Sequence, residues 1–426
     1  MTKQICLIFV LLIILFLLIF SLNFYFLNRL NNDQLNGKDH LKIDKPTYVQ
    51  GLIRRSVNSL KPVYLNKNPR FYTIRNKLLK HLSPAHYDNV TVVWDIVHWW
   101  PDDNEIYPPN DATMGQLMQA LKAEKIVSAK NSPKGTQLKL LLTLDGNQKV
   151  IFKPKWYERN AIIDGPVYSG KDRFNAEIFG FYLGSLLNMR WTPVAVGRKL
   201  NMKEIYDKAD RTLRRTMTVN AVPKENRTEI CVFGKCFYCK ESEPVCGDEN
   251  GYLEGAILQL IPGTFAKYRS PWQRTYKDNQ KAEWEDNMNY CDSVKEKYTQ
   301  TRLLDLVDAS IFDFILQNGD RHHYETRNER VVLIDNGKGL GNSNYDFLDI
   351  LAPLYQCCIL RRSTWERLLV FSGGTLTELI DQISRMDDSY PLLTPGHYKA
   401  VNRRFLLIFS AVEFCFQKFG NTAVLK

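Results

Sequence analysis

The chain has 426 residues, 44% hydrophobic and 24% charged, an ordinary globular composition that excludes a disordered or repetitive protein. That length exceeds one comfortable hydrophobic core, so two lobes or domains are expected. The formal net charge of +11 favours an acidic partner: nucleotide phosphates, a sulfated or carboxylated glycan, or acidic protein.

From Ile5 to Leu27 the sequence is almost wholly apolar and uncharged, long enough to cross a bilayer as a helix. A signal peptide has a shorter apolar region that ends in small residues. Residues 1–27 are therefore read as a signal anchor with Lys3 on the cytosolic side, and Ser21 leaves cleavage open. The flanking charge bias is weak, since Arg29 and Lys38 lie on the other side. Everything after Leu27 is then lumenal. The sequons at Asn89 and Asn226 agree with that address, and it excludes nucleic acid as the partner of a basic protein.

Residues 28–69 are polar with few aromatics and read as a lumenal stem. From Arg70 to about Lys130 the pattern is mostly helical, with helical spacing over Met114–Ile126. Trp94, Trp99 and Trp100 read as packing residues. Two β-rich runs, 134–144 and 149–153, flank Asp145-Gly146 and predict a hairpin. Lys153 closes its second strand. Residues 173–188 predict an amphipathic helix with Asp172 as its N-cap and Glu177 near its start. Strands are expected over 194–200 and 253–261, the second ending at Pro262 as a lobe-connecting hinge would. An apolar helix over 302–318 leads into Asn318-Gly-Asp-Arg-His-His-Tyr-Glu325. After a short strand comes Val331-Val-Leu-Ile-Asp-Asn-Gly337, and the remainder through Lys426 is largely helical.

There are nine cysteines. Cys6 lies in the apolar run, leaving eight beyond it. Cys231, Cys236, Cys239 and Cys246 cluster at a spacing that could hold zinc. An oxidising lumen favours disulfides instead.

Asp320 stands in a polar loop after a buried helix, and Asp335 stands where an apolar strand meets a turn. Phosphoryl transfer from ATP needs such a pair, one carboxylate for the attacking hydroxyl and one for the metal that bridges the phosphates. The plainer alternative is a helix-capping Asp and a hairpin turn. Lys153 lies where a kinase keeps its phosphate-binding lysine. Glu177 lies where a kinase helix supplies the partner of that lysine, although a carboxylate there is also favoured by the helix dipole. The order is a small β-rich lobe followed by a larger helical lobe. Three features depart from ordinary protein kinases. Gly135 lies in the only glycine loop before the hairpin, without the usual glycine triplet. Glu325 replaces the metal-binding Asn, and Asp335-Asn-Gly replaces Asp-Phe-Gly.

These departures, with Lys134-Gly-Thr-Gln-Leu-Lys139, Phe152-Lys-Pro154, Asp172-Arg-Phe-Asn-Ala-Glu177, Cys231-Val-Phe-Gly-Lys-Cys236 and Ala352-Pro-Leu-Tyr-Gln-Cys-Cys358, carry a family resemblance. The chain resembles the atypical secretory-pathway kinases, the family of the Golgi casein kinase and the glycosaminoglycan xylosylkinase. Phe152-Lys-Pro-Lys155, Cys236-Phe-Tyr-Cys239 and Ala352-Pro-Leu-Tyr355 are nearer the xylosylkinase branch. Asp335-Asn-Gly-Lys-Gly339 is nearer the casein-kinase branch.

The resemblance implies an α+β, atypical bilobal protein-kinase-like fold stabilised by disulfides. It would comprise an N-terminal helical segment plus N-lobe over 70–262 and a C-lobe over 263–426. It implies Asp320 as catalytic base, Asp335 and Asp172 on the metal, Lys153 on the phosphates and Glu177 orienting it. Gln137 and Lys139 would line the nucleotide pocket, Leu258, Gln259, Leu260 and Ile261 would form the hinge, and Glu325 would face the nucleotide or metal. It implies disulfides Cys231–Cys246, Cys236–Cys239, Cys291–Cys357 and Cys358–Cys415. ATP and Mn2+, with Mg2+ as the alternative, are the implied cofactors; manganese suits an all-oxygen site. The implied activity is phosphorylation of the 2-hydroxyl of xylose in the proteoglycan linkage region, with galactosyl-xylose as acceptor. The alternatives are a secretory Ser/Thr kinase of acidic motifs and a pseudokinase activator. The implied location is the Golgi lumen, as a single-pass type II membrane protein or secreted after cleavage, and a homodimer is left open.

Overall fold

Leu140, Leu142 and Leu144 alternate inward along one strand while Leu141 and Thr143 are only partly covered, the period-2 pattern of a strand with one face on a core. This strand belongs to a five-stranded antiparallel sheet, seen in a computed structural model that describes residues 47–426 except 134, 223–226, 278–279 and 328–329. The expected anchor, residues 28–46 of the stem, and Asn226 lie outside the described residues. Among the described residues no helix is long and apolar enough to cross a membrane.

The sheet comprises β1 (Ile126–Asn131), β2 (Leu140–Leu144), β3 (Lys149–Pro154), β4 (Ala195–Asn201) and β5 (Tyr252–Gln259), in the order β1-β2-β3-β5-β4. β5 is inward-facing along most of its length because strands pair with it on both sides. The Asp145-Gly146 turn of the predicted hairpin is present. Gly146 takes φ +72° against the Trp94 ring, whose Nε1 donates to the Asp145 carbonyl at 2.9 Å. Trp94 and Trp100 are packing residues as expected, whereas Trp99 is 82% exposed. β1 is the edge strand of this sheet, paired with β2 and touched on its other side by a single bridge from Ala129 to Ala209, and the helical spacing that precedes it hid it.

Helix α1 (Phe174–Leu186) packs on β4 and β5. Amphipathicity is expected here, yet every residue of α1 is buried. One side meets the sheet, and Gly180 on the other lies against Asn336. The second half is dominated by α2 (Gln300–Leu316), buried from Leu303 to Leu316, and by the long α3 (Pro395–Phe419). Residues 323–327 form a strand between 266–269 and 330–332 in a small antiparallel sheet.

The stem is shorter than its composition suggests. Residues 48–56 and 62–65 are helical. Ile53 is fully buried, Tyr64 stacks on Phe409 of α3 at 4.8 Å, and Lys61 pairs with Glu413 at 2.8 Å. Sparse apolar residues at helical spacing suffice because α3 offers a preformed apolar face.

All eight described cysteines are paired, as Cys231–Cys246, Cys236–Cys239, Cys291–Cys357 and Cys358–Cys415, which excludes the zinc reading. Adjacent Cys357 and Cys358 reach different partners because Cys358 leaves its helix in the left-handed conformation at φ 47°. Cys358–Cys415 closes 57 residues of chain. Replacing both cysteines with Ser should lower stability by about 3 kcal/mol, read as a fall in melting temperature; an unchanged midpoint would mean that packing of α3 alone holds this end.

Candidate active site

Lys153 lies at the end of β3, between β2 and β5, where the sheet buries its stem and leaves its ammonium facing α1. Its Nζ lies 2.5 Å from Glu177 Oε1 on the first turn of α1. It also lies 2.7 Å from Asp335 Oδ1 and 3.3 Å from Asp172 Oδ2. Burial alone would push this amine down, but Asp335, Glu177 and Asp172 outweigh it and hold Lys153 well above its ordinary range. Lys139 Nζ adds a second ammonium 3.3 Å from Asp335 Oδ1. Lys153 first, and then Lys139, hold the Asp335 carboxyl far below the usual carboxylate range. It therefore stays ionised at any physiological pH.

Three backbone features assemble this group. Gly135 takes φ +110° and leaves room for the Lys139 side chain, whose Cε would lie 2.5 Å from any Cβ placed there. Asp335 itself takes φ +57°, a left-handed conformation that Asp tolerates better than most residues. Gly337 allows the turn to lie against Asp172, where an added Cβ would stand 2.7 Å from the Asp172 Cβ. Asp172 is not the N-cap of α1. That position falls to Arg173, which makes no side-chain cap, and the Asp172 carboxylate turns instead to Lys153.

Asp172, Glu177 and Asp335 each present a carboxylate oxygen within 4.8 Å of the others. Glu177 Oε2 is buried with no hydrogen-bond partner. Three carboxylates against two ammonium groups, with a buried oxygen left over, form a donor set that fits a hard divalent cation.

Asp320 stands on the loop after α2. Its carboxylate accepts from Tyr276 Oη at 2.8 Å, and its backbone N–H donates to Asn318 Oδ1 at 3.2 Å. Asn318 Nδ2 in turn reaches the Asp335 carbonyl at 3.4 Å. Arg321 ties the two loops more strongly. It makes a two-pronged pair with Asp313 at 2.6 and 2.9 Å and donates to the Ile334 carbonyl and Asn336 Oδ1, each at 2.8 Å. Arg173 holds the turn after Asp335 through the carbonyls of Lys338 and Gly339.

Gln137 is buried in the loop that carries Lys139. Leu258 and Gln259 end β5, followed by exposed Leu260 and buried Ile261, and Gln259 Oε1 is buried without a partner. Glu325 does not join the Lys153 group. It lies in the small sheet, opposite Lys267, with which it pairs at 3.2 Å. Beside the Asp320 loop opens a pocket lined by Trp272, Trp284, Tyr276, Arg274 and Asp349, the last two joined as an ion pair.

The family model Fam20C, described as "Golgi casein kinase, C-terminal, Fam20", matches residues 92–424. The chain belongs to this family. Within the Fam20 family it is 55% identical over 400 residues to the glycosaminoglycan xylosylkinase homolog of Drosophila melanogaster, covering 94% of this chain and 93% of that protein. It is 39% identical to the glycosaminoglycan xylosylkinase of Homo sapiens, over 83% of this chain and 88% of that one. Its structure matches that of the Golgi casein kinase with Mn/ADP bound, at a TM-score of 0.71 and 29% identity over 91% of this chain and 96% of that one. The fold is thus the kinase-like α+β fold of the Fam20 proteins, and the family supports a phosphotransferase. Three residues in the site escaped sequence reading: Tyr276, Arg173 and Arg321. Arg321 had a weak signal in its place next to Asp320. Tyr276 had none.

Proposed function

We propose that this protein is an ATP-dependent kinase that phosphorylates the 2-hydroxyl of xylose in the glycosaminoglycan–protein linkage region, working with manganese in the Golgi lumen. The observation that carries the proposal is the Lys153 ammonium held by Glu177, Asp172 and Asp335 beside the loop of a further carboxylate, Asp320, which no described Lys or Arg holds. The names of the Drosophila and human relatives favour a glycan acceptor over a peptide.

Asp335 and Asp172 would hold the metal, which when bound offsets charge on the nucleotide phosphates. Lys153, fixed by Glu177, orients the phosphates, and Lys139 supports Asp335 from the glycine loop. Gln137 and the 258–261 segment form the rear of the nucleotide site, where Gln259 Oε1 offers a free acceptor. Asp320 accepts the proton of the sugar hydroxyl as it attacks the γ-phosphorus. The pocket beside the Asp320 loop, with Tyr276 and the Arg274–Asp349 pair in its wall, is where the acceptor would sit. Four disulfides support an oxidising compartment. Exposed Asn89 caps a helix through its oxygen, which leaves its nitrogen for a glycan. Membrane attachment through Ile5–Leu27 belongs to the same proposal.

The test offers ATP and Mn2+ with either a galactosyl-xyloside or a Ser-rich acidic peptide and follows the added phosphate by mass spectrometry. Phosphate on xylose alone supports the proposal. Phosphate on the peptide alone overturns the substrate assignment, and none on either overturns the kinase assignment in favour of a pseudokinase. Asp335→Ala should also abolish Mn2+-dependent nucleotide binding measured by calorimetry; retention of binding would remove Asp335 from the metal site.

A further inference from the structure

The phenol of Tyr276 holds one of the two carboxylate oxygens of Asp320 on which an acceptor hydroxyl would dock. Its Oη donates to Asp320 Oδ1 at 2.8 Å, the same O–H to carboxylate contact that a sugar hydroxyl makes before it attacks. The ring lines the pocket beside the Asp320 loop and remains 39% exposed, packed on Tyr168 at 4.7 Å and edge-on to His322 at 5.9 Å. It therefore stands at the mouth of the site and not as a strut buried behind Asp320. Tyr276 also takes φ +55°, an uncommon conformation for a bulky residue and one that concentrates at functional sites. Burial first, and then the Asp320 charge, push the phenol up, so it is a neutral donor at physiological pH.

We propose that Tyr276 guards the base: with no acceptor present its hydroxyl holds Asp320 Oδ1 and denies it to water, and the acceptor hydroxyl displaces it. This rests on the reading of Asp320 as the base. A kinase whose base is open to water hydrolyses ATP. The water proton passes to Asp320, the water oxygen bonds to the γ-phosphorus, the bond to the bridging oxygen of ADP breaks, and phosphate is released. Transfer follows the same balance with the sugar oxygen in place of water. Tyr276 selects between them because a sugar anchored elsewhere in the pocket can outcompete a phenol for one hydrogen bond, whereas a lone water cannot.

The experiment uses the full chain as wild type, Tyr276→Phe, Asp320→Ala and the double variant, with ATP and Mn2+. It measures phosphate release without acceptor and transfer to a galactosyl-xyloside at saturation. Phe keeps the ring contacts and removes only the hydroxyl. The expected result is a rise in acceptor-independent hydrolysis of about 5-fold, the size of one lost hydrogen bond, with the transfer rate read beside it. The rise should vanish in the double variant. Unchanged hydrolysis with slower transfer would overturn the guard and make Tyr276 a positioning residue, and no change in either would make it a surface contact. A wild type that transfers no phosphate to the xyloside or to an acidic peptide would overturn the underlying kinase reading instead, before any variant is compared.

Discussion

Asp320→Ala should lower the transfer rate by about 1,000-fold, the range for removing a general base, while ATP and Mn2+ bind almost as in the wild type. Asp320 makes no contact with Lys153, Lys139, Glu177, Asp172 or Asp335. Its described side-chain partners are Tyr276 at 2.8 Å and His322, whose Nδ1 lies 3.7 Å away. Its backbone role in the loop, through the Asn318 side chain, survives the truncation. The nucleotide cluster and the base are therefore separable, and calorimetry beside a transfer assay separates them. The melting temperature should move little, because a carboxylate whose side chain is 29% exposed loses little by removal. Turnover near the wild-type rate would remove Asp320 from the chemistry, and a parallel loss of nucleotide binding would show that the two loops are not independent.

The legible part of the site was the part whose chemistry is written in local pattern. Lys153 ends an apolar strand, Glu177 opens an apolar helix, and Asp335 ends another apolar run, so their places follow from element boundaries. Asp172 was placed next to the right helix but given the wrong partner. An Asp before a helix reads as its cap unless a buried cation across the sheet is known, and here Lys153 pulls the carboxylate away. Glu325 illustrates the reverse. Its distance from Asp320 suggests the metal site, but His323-Tyr-Glu-Thr-Arg327 is drawn into a sheet by residues 266–269, more than fifty positions earlier, and Glu325 pairs with Lys267. Tyr276 lies in a polar segment with no periodicity, and only tertiary folding brings it to Asp320. Residues 48–65 were lost to composition for the same reason, because their few apolar side chains matter only against α3.

The link between the two loops should be the most sensitive point in the fold. Asp313 and Arg321 are both buried, their side chains 4% and 5% exposed. Burial pushes the Asp313 carboxyl up and Arg321 offsets part of that rise, so each charge is tolerated only because of the other. Arg321→Met should destabilise the protein by about 4 kcal/mol, the cost of leaving one charge of a buried pair alone, and should cut the yield of folded protein and the melting temperature. The double variant Arg321→Met with Asp313→Leu tests what the pair is for. Replacing both charges with apolar groups of similar volume is often neutral or stabilising, so the melting temperature should recover most of its loss. Activity should not recover. Arg321 also donates to the Ile334 carbonyl and to Asn336, and those bonds fix Asp335 relative to Asp320. A displacement of about 1 Å between the two carboxylates is enough to slow transfer roughly 100-fold. A stable, folded and fully active double variant would show that α2 and the small sheet hold the loops without help. A stable but slow one would assign the buried pair to the geometry of the site.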